Sequence, residues 1–534
     1  MIRKVHQRPP NRARRAFLQN SSLALLGLAG AGMPGVGWST RGDTLHIRNY
    51  QDVTSLDPVS SVSGAEAIIG IAIFQNLLQF KSDGSWDTQL DAAESFEQLD
   101  ATHYAFRLKP GQMFSNGFGE MTADDVKFSF ERILDPAMNA LNRPDFGPLS
   151  HVEVHGRYSG TFVLSAPFAA FTTVAVAGGT GVILSRKAVT AAGGRFTTNP
   201  PACSGPYLFK SWQVQRKSVL ERNPQWTGAR APFAEIHVYA MQDAKTAEMA
   251  FEAGELDSAR ISVETVAPFK KDMPQNSSIR MLPSGRNYWL GMNQKNPALA
   301  DIRIRRAIQY AIDVEAVVEA AWFGLAKVST GPIPEGMTGH RAKALVPPAG
   351  NTEKAMALLS DAGVTLPLRL RLDVNNASLE LTAVQVMQWS LRKAGIEVDI
   401  HAQDNSTFLT IGREDVGDQW QDVQLFMQSF TGQSDPYYAL SWFTSDQLGL
   451  WNWERFSNEE FDRLSNDAIA TTDNNERDRM YQRMQDLMES SGCYRFITNG
   501  VMPQIYRNTI EPAFRADGYV MLRDYRPAQA PGRD

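Results

Sequence analysis

An α/β fold divided among more than one domain is predicted by three features of this chain. Its 534 residues exceed what one hydrophobic core organises, so two or three domains are expected. Over residues 368–400, Leu368, Leu370, Leu372 and Val374 alternate with Arg369, Arg371 and Asp373. An apolar-striped helix over 379–394 follows and stops at Gly395, and then Ile396, Val398 and Ile400 alternate again. A third strand, 423–427, comes next, and short turns between such elements predict a mostly parallel lobe.

The remaining elements follow in order. Residues 44–48 read as a strand that Ser55-Leu56-Asp57-Pro58 stops, and the Ile-, Leu- and Ala-rich run 65–80 as a buried helix. Tyr104, Phe106 and Leu108 alternate with Ala105 and Arg107 until Pro110-Gly111 breaks the strand. Thr122, with Asp125 three residues on, starts a helix whose apolar positions are Val126, Phe130 and Ile133, and Phe128 and Arg132 follow Asp124 at helical spacing. Residues 162–164 and 181–184 read as short strands, and 193–201 as a linker rich in Gly, Thr, Asn and Pro. Two strands around a turn follow Cys203, then a strand at 236–239 and a helix at 244–253. Asp301 caps one helix carrying Ile304, Ala307, Ile308, Ala311, Ile312, Val318 and Trp322 on a single stripe up to Gly324, with Arg303, Arg305 and Arg306 as its solvated flank. Residues 353–362 form a short helix. Ser457 and Glu460 make a capping box for another, and Met480, Met484, Leu487 and Met488 share one face of the last.

Composition narrows the function classes. Hydrophobic residues make up 43% and charged residues 21% of the chain, as in an ordinary globular protein. Residues 1–41 carry seven Lys or Arg and no acid; the remainder holds 46 basic against 58 acidic residues, a net charge of −12. So acidic a body is a poor partner for nucleic acid, whose phosphates are held by Lys and Arg. Arg14-Arg15-Ala16-Phe17-Leu18, an apolar run over 23–31 and a Gly-rich stretch predict a twin-arginine export leader. That run is far short of the ~20 residues that span a bilayer. The mature protein is therefore expected to be periplasmic and soluble, a compartment that permits disulfides. Cys203 and Cys493, the two cysteines, are either bridged or both free.

No catalytic or metal motif stands up. Gly30-Ala31-Gly32-Met33-Pro34-Gly35 matches G-x-G-x-x-G but follows no strand, and His151 and His155 flank valines at strand spacing. G-x-S-x-G, H-E-x-x-H and G-K-[ST] do not occur. The informative constellation is residues 428–453, where a strand leads into Asp435, Pro436, Tyr437 and Tyr438, followed by Trp442, Phe443, Trp451 and Trp453. Large aromatics around one carboxylate suit a concave small-molecule pocket. The plainer alternative is that Asp435 caps a turn and the tryptophans are core.

Segment 100–135, the Gly205-Pro206-Tyr207 turn, Asn223-Pro224-Gln225-Trp226 and residues 286–327 together resemble the peptide-type (family 5) extracellular solute-binding proteins that serve ATP-binding-cassette importers. The resemblance implies a two-lobed periplasmic binding protein of type II, class C-like, with an inserted subdomain in lobe one. The corresponding divisions are 1–41 leader, 42–62 lobe I, 63–196 insert, 197–285 lobe I, 286–495 lobe II and 496–534 returning to lobe I. It implies no reaction, no cofactor, a monomer, a peptide-like ligand and importer membrane permease subunits as partners, with opine-like or glycoside ligands and a sensory or chaperone role as alternatives. In the family's peptide binders an aspartate of a D-P element pairs with the ligand ammonium; here that residue is Asp435. Tyr437, Trp442, Trp451 and Trp453 would wall the pocket, Val53 and Thr54 would meet the ligand backbone, and Tyr288 and Asn293 fall at the start of lobe two. Dipeptide-type members place an arginine for the ligand carboxylate after the strand 368–374, but this chain reads Asn375-Asn376-Ala377-Ser378 there.

Overall fold

The computed structural model describes residues 43–61 and 63–528, so the expected leader lies outside the described residues. Two mixed sheets organise the rest. The larger has seven strands in the order Tyr207–Gln213, Lys217–Arg222, Glu235–Ala240, Thr44–Asn49, Ser258–Arg260, Val501–Arg507 and Ser277–Pro283. The smaller has five: Ile396–Gln403, Leu368–Asn375, Leu425–Thr431, Arg286–Met292 and Tyr494–Thr498. A separate antiparallel sheet of four strands, Ala93–Gln98, His103–Leu108, Ser159–Leu164 and Leu149–Gly156, carries its own core of Tyr104, Phe106, Phe130 and Phe162.

Alternation in the sequence sets each sheet's buried face. Leu45 and Ile47 point into one core, whereas Leu370, Leu372 and Val374 point into another with Ile396 and Val398 from the neighbouring strand. The helix Ser378–Lys393 crosses between the parallel pair Leu368–Asn375 and Ile396–Gln403, and covers that face with Ala383, Val384, Met387 and Leu391.

The chain passes between the two large sheets twice. Strand Ser277–Pro283 closes the edge of the larger sheet, and after Ser284-Gly285 the strand Arg286–Met292 enters the smaller. The return is at Asn499-Gly500, between Tyr494–Thr498 and Val501–Arg507. This lies beyond the expected boundary at 495/496, because Tyr494–Thr498 still pairs with Arg286–Met292. Ser284 Oγ donates to the Asn499 carbonyl at 2.6 Å, joining the crossings side by side. Gly285 and Gly500 have φ of 59° and 70°, a left-handed backbone that glycine adopts without strain.

The helix Ala123–Leu134 starts at Thr122 with the expected capping box: Asp125 Oδ2 accepts from Thr122 N and Oγ1, each at 2.9 Å. Near its end, Arg132 reaches back to Asp57 in the strand-stopping turn, with bonds of 2.7 and 2.6 Å. Both side chains are buried, so the turn and the helix are fixed together by a desolvated ion pair.

Several expectations are corrected. The parallel lobe is mixed, since Arg286–Met292 runs antiparallel to both its neighbours. The helix expected to run from Asp301 past Val318 is two, Ile302–Ala311 and Val314–Ala321, because Asp313 caps a new start through Ala316 N at 3.0 Å. Within it Arg305 is no solvated flank: it is buried and donates to the carbonyls of Leu299, Ala300 and Ser491. The run 65–80 ends as a helix at Ile73 and continues into the strand Leu78–Phe80. Residues 181–184 supply only an isolated bridge, Asn76 to Val182. Asn458, not Ser457, caps the helix Glu459–Ala470 by accepting from Phe461 N at 2.9 Å.

Candidate functional site

A cavity of about 600 Å³ opens where the two large sheets face each other beside the chain crossings. The larger sheet contributes Arg48 and Arg260 from the carboxyl ends of two parallel strands, the place where open α/β sheets commonly hold ligands. From the smaller sheet come Arg286 and Tyr288, two residues apart and hence on one face of their strand. Trp322 and Tyr519 add aromatic wall, and Ser284 places a crossing at the rim.

Charge is distributed unevenly in this space. Arg48 is committed to the fold: its Nε and Nη2 donate to the Met241 and Gln242 carbonyls, both at 2.9 Å, and Nη1 donates to the Arg260 carbonyl. Arg286 Nε donates to Ser429 Oγ at 3.0 Å, and its guanidinium lies 5.7 Å from the Tyr288 ring centre. Tyr288 in turn meets Trp322 edge-on at 5.0 Å. Burial raises the Tyr288 hydroxyl pKa, so it stays a neutral donor. Arg260 projects from the wall, and its guanidinium makes no ion pair with any described carboxylate. Desolvation by the surrounding wall, with the neighbouring Arg286 charge adding to it, lowers its pKa.

Of the nine residues expected at the site, only Tyr288 lines this cavity. Asp435, expected to pair with a ligand ammonium, lies outside this cavity and has partners within the protein. Both its oxygens accept from Arg477 Nη2 at 2.8 Å, Oδ1 also accepts from Tyr437 N at 3.0 Å, and the residue is 2% exposed. Burial pulls the Arg477 pKa down, but Asp435 outweighs it and the guanidinium stays charged. The four expected aromatics lie outside this cavity and pack on neighbouring rings. Trp453 is buried between Phe408 and Phe426, with its Nε1 donating to the Leu450 carbonyl at 2.9 Å. Trp442 and Trp451, both half-buried, meet edge-on at 5.8 Å around Phe430, and Tyr437 and Trp442 pack against one core.

Val53 is a core residue, and Thr54 spends its N and Oγ1 on Glu66 Oε1 at 2.9 and 2.7 Å. Asn293 donates to the Trp420 and Val423 carbonyls at 3.1 and 3.0 Å and accepts from Lys295 N, which leaves it no free donor for a ligand. Cys203 and Cys493 are free thiols buried in different cores, so the bridged alternative is corrected. Burial pushes their pKa values up to about 12 and about 11.

Sequence reasoning missed Arg48, Arg260, Arg286, Trp322 and Tyr519 as a group. No local pattern marked them: Arg260 ends the strand Ser258–Arg260 and Arg286 begins the strand Arg286–Met292, each still paired in its sheet.

The family model for the middle region of bacterial extracellular solute-binding proteins, family 5, matches residues 87–449, more than half of the chain. The chain belongs to that family. This family 5 protein is 29% identical over 466 residues to the probable D,D-dipeptide-binding periplasmic protein DdpA of Escherichia coli K12, covering 85% of this chain and 88% of the relative. It is 24% identical over 467 residues to the probable deoxycholate-binding periplasmic protein YgiS of the same organism, covering 82% and 84%. Among solved structures, the ABC transporter substrate-binding protein CtaP of Listeria monocytogenes superposes with a TM-score of 0.80 at 21% identity, covering 91% of this chain and all of that one. The two-lobed α/β architecture is thus shared with family 5 binding proteins. No described helix is long and apolar enough to cross a membrane.

Proposed function

We propose that this family 5 protein captures a peptide or peptide-like solute between its two lobes in the periplasm and delivers it to the membrane permease subunits of an ATP-binding-cassette importer. The observation that carries the reading is the cavity of about 600 Å³ walled by both large sheets, a size suited to a small organic solute. Closure follows from the covalent plan. Among the described residues, only the paired crossings 284–285 and 499–500 join the two large sheets through the chain, so small backbone rotations there bring the walls together. The name of the D,D-dipeptide-binding relative supports a peptide-like solute. No reaction is assigned: the protein acts as a monomeric carrier that leaves every bond of its solute intact. Residues 1–41 would direct it through the twin-arginine route, with the inserted four-stranded sheet as a subdomain of lobe one.

Native mass spectrometry of the protein purified from its own periplasm tests this. A bound solute with amide-linked amino acids is expected, released unaltered on denaturation. Recovery of a chemically converted product, or retention of no member of a broad peptide library, would overturn the proposal.

A further inference from the structure

The two open guanidiniums at Arg260 and Arg286 have a consequence for the solute. Five charged side chains line the cavity: Arg48, Arg260, Arg286, Glu264 and Asp517. Asp517 is already paired, accepting from Arg515 Nη2 at 2.9 Å. Glu264 lies in the first turn of the helix Val263–Lys271, where the helix dipole favours it, and makes no ion pair with either open arginine. Arg48 is spent on backbone carbonyls. What remains is two guanidiniums near enough for one charge to disfavour the other, with most of their N–H donors unused. Such an arrangement is unfavourable when empty and relieved by an anion, and the planar fork of arginine fits a carboxylate in particular.

Deepening the solute-binding reading above, on which it rests, we infer that the cavity takes a solute bearing a free carboxylate, held by Arg260 and Arg286, with its apolar body against Trp322, Ile68 and Leu379. The arginine absent from 375–378 is thereby supplied from two other strands, one in each large sheet. A carboxylate bridging Arg260 and Arg286 ties the two sheets together, so the same contact that selects the solute holds the closed form.

The test uses dialysed mature protein and three probes: a library of free-acid dipeptides, the same library as C-terminal amides, and deoxycholate, a carboxylate that is no peptide. Binding is read by tryptophan fluorescence and thermal shift in wild type, Arg260→Gln, Arg260→Lys and Arg286→Gln. The Arg260 side chain donates no hydrogen bond to any described residue, so Arg260→Gln should melt with wild type. Free acids should bind at least ten-fold more tightly than their amides. Arg260→Gln should lose that preference by about ten- to a hundred-fold, the worth of charge-assisted hydrogen bonds, with Arg260→Lys between. Acids and amides binding alike would overturn the anchor while leaving the peptide reading intact. Binding of deoxycholate alone, lost in Arg260→Gln, would keep the anchor and overturn the peptide reading. Binding of no anionic probe, or binding untouched by both glutamine substitutions, would overturn the anchor.

Discussion

Glu454 makes the stability of this protein depend on pH in a direction opposite to that of most carboxylates. It is fully buried; Oε1 accepts from Trp289 Nε1 at 2.6 Å, while Oε2 has no partner among the described residues. Gly291 leaves the room it occupies, since a Cβ there would stand 2.5 Å from Oε1. Desolvation, only partly opposed by the Trp289 bond, pushes its pKa from 4.5 up to about 8. A carboxyl whose folded value lies above its unfolded value takes up a proton on folding between those two values. Its contribution is therefore complete below the unfolded value and is lost as pH rises toward the folded one. Each pH unit in that window costs at most about 1.4 kcal/mol, and with partial titration at both ends moving from pH 5 to pH 8 should remove about 3.5 kcal/mol. Glu454→Gln keeps the shape and an acceptor for Trp289 but cannot ionise. Urea denaturation of both proteins at pH 5, 6, 7 and 8 isolates the effect, because every other titrating group is common to both. The variant should be similar or about 1 kcal/mol less stable at pH 5, and clearly more stable at pH 8. Parallel stability curves across this range would refute the argument that Glu454 is protonated in the native state.

Asp435→Ala should lower stability by about 3–5 kcal/mol, because it strands a buried guanidinium, while solute affinity in the folded fraction stays near wild type; a large affinity loss at unchanged stability would restore Asp435 as a ligand anchor. Arg132→Ala should cost a similar amount by leaving Asp57 charged and unpaired in the core, and Asp57→Asn combined with Arg132→Met should recover much of it in a double-mutant cycle. Alkylation of native protein should label neither cysteine, whereas alkylation under non-reducing denaturation should label both; an unlabelled denatured protein would establish a bridge instead.

The family and most local structure were legible because they rest on near neighbours in sequence. Thr122 and Asp125 are three residues apart, and the alternation of 368–374 needs only the two-residue pleat. Asp435 shows where that legibility ends. A carboxylate before Pro-Tyr-Tyr among tryptophans reads equally well as a pocket anchor or as half of an ion pair. The residue that decides is Arg477, 42 positions away on the helix Asn474–Ser490. Trp453 misleads for the same reason: aromatic clustering marks a dry place, and a dry place is more often core than cleft.

By itself the sequence determined an acidic, two-lobed α/β chain of family 5 without a catalytic motif, since composition, periodicity and motif order are properties of the linear chain. Only the tertiary structure decided which charges are free. Arg48, Arg260 and Arg286 are equivalent letters in the chain, yet one is consumed by backbone carbonyls and two are left facing an open cavity. Whether a charged group is satisfied depends on partners brought in from distant strands, and no local pattern encodes that.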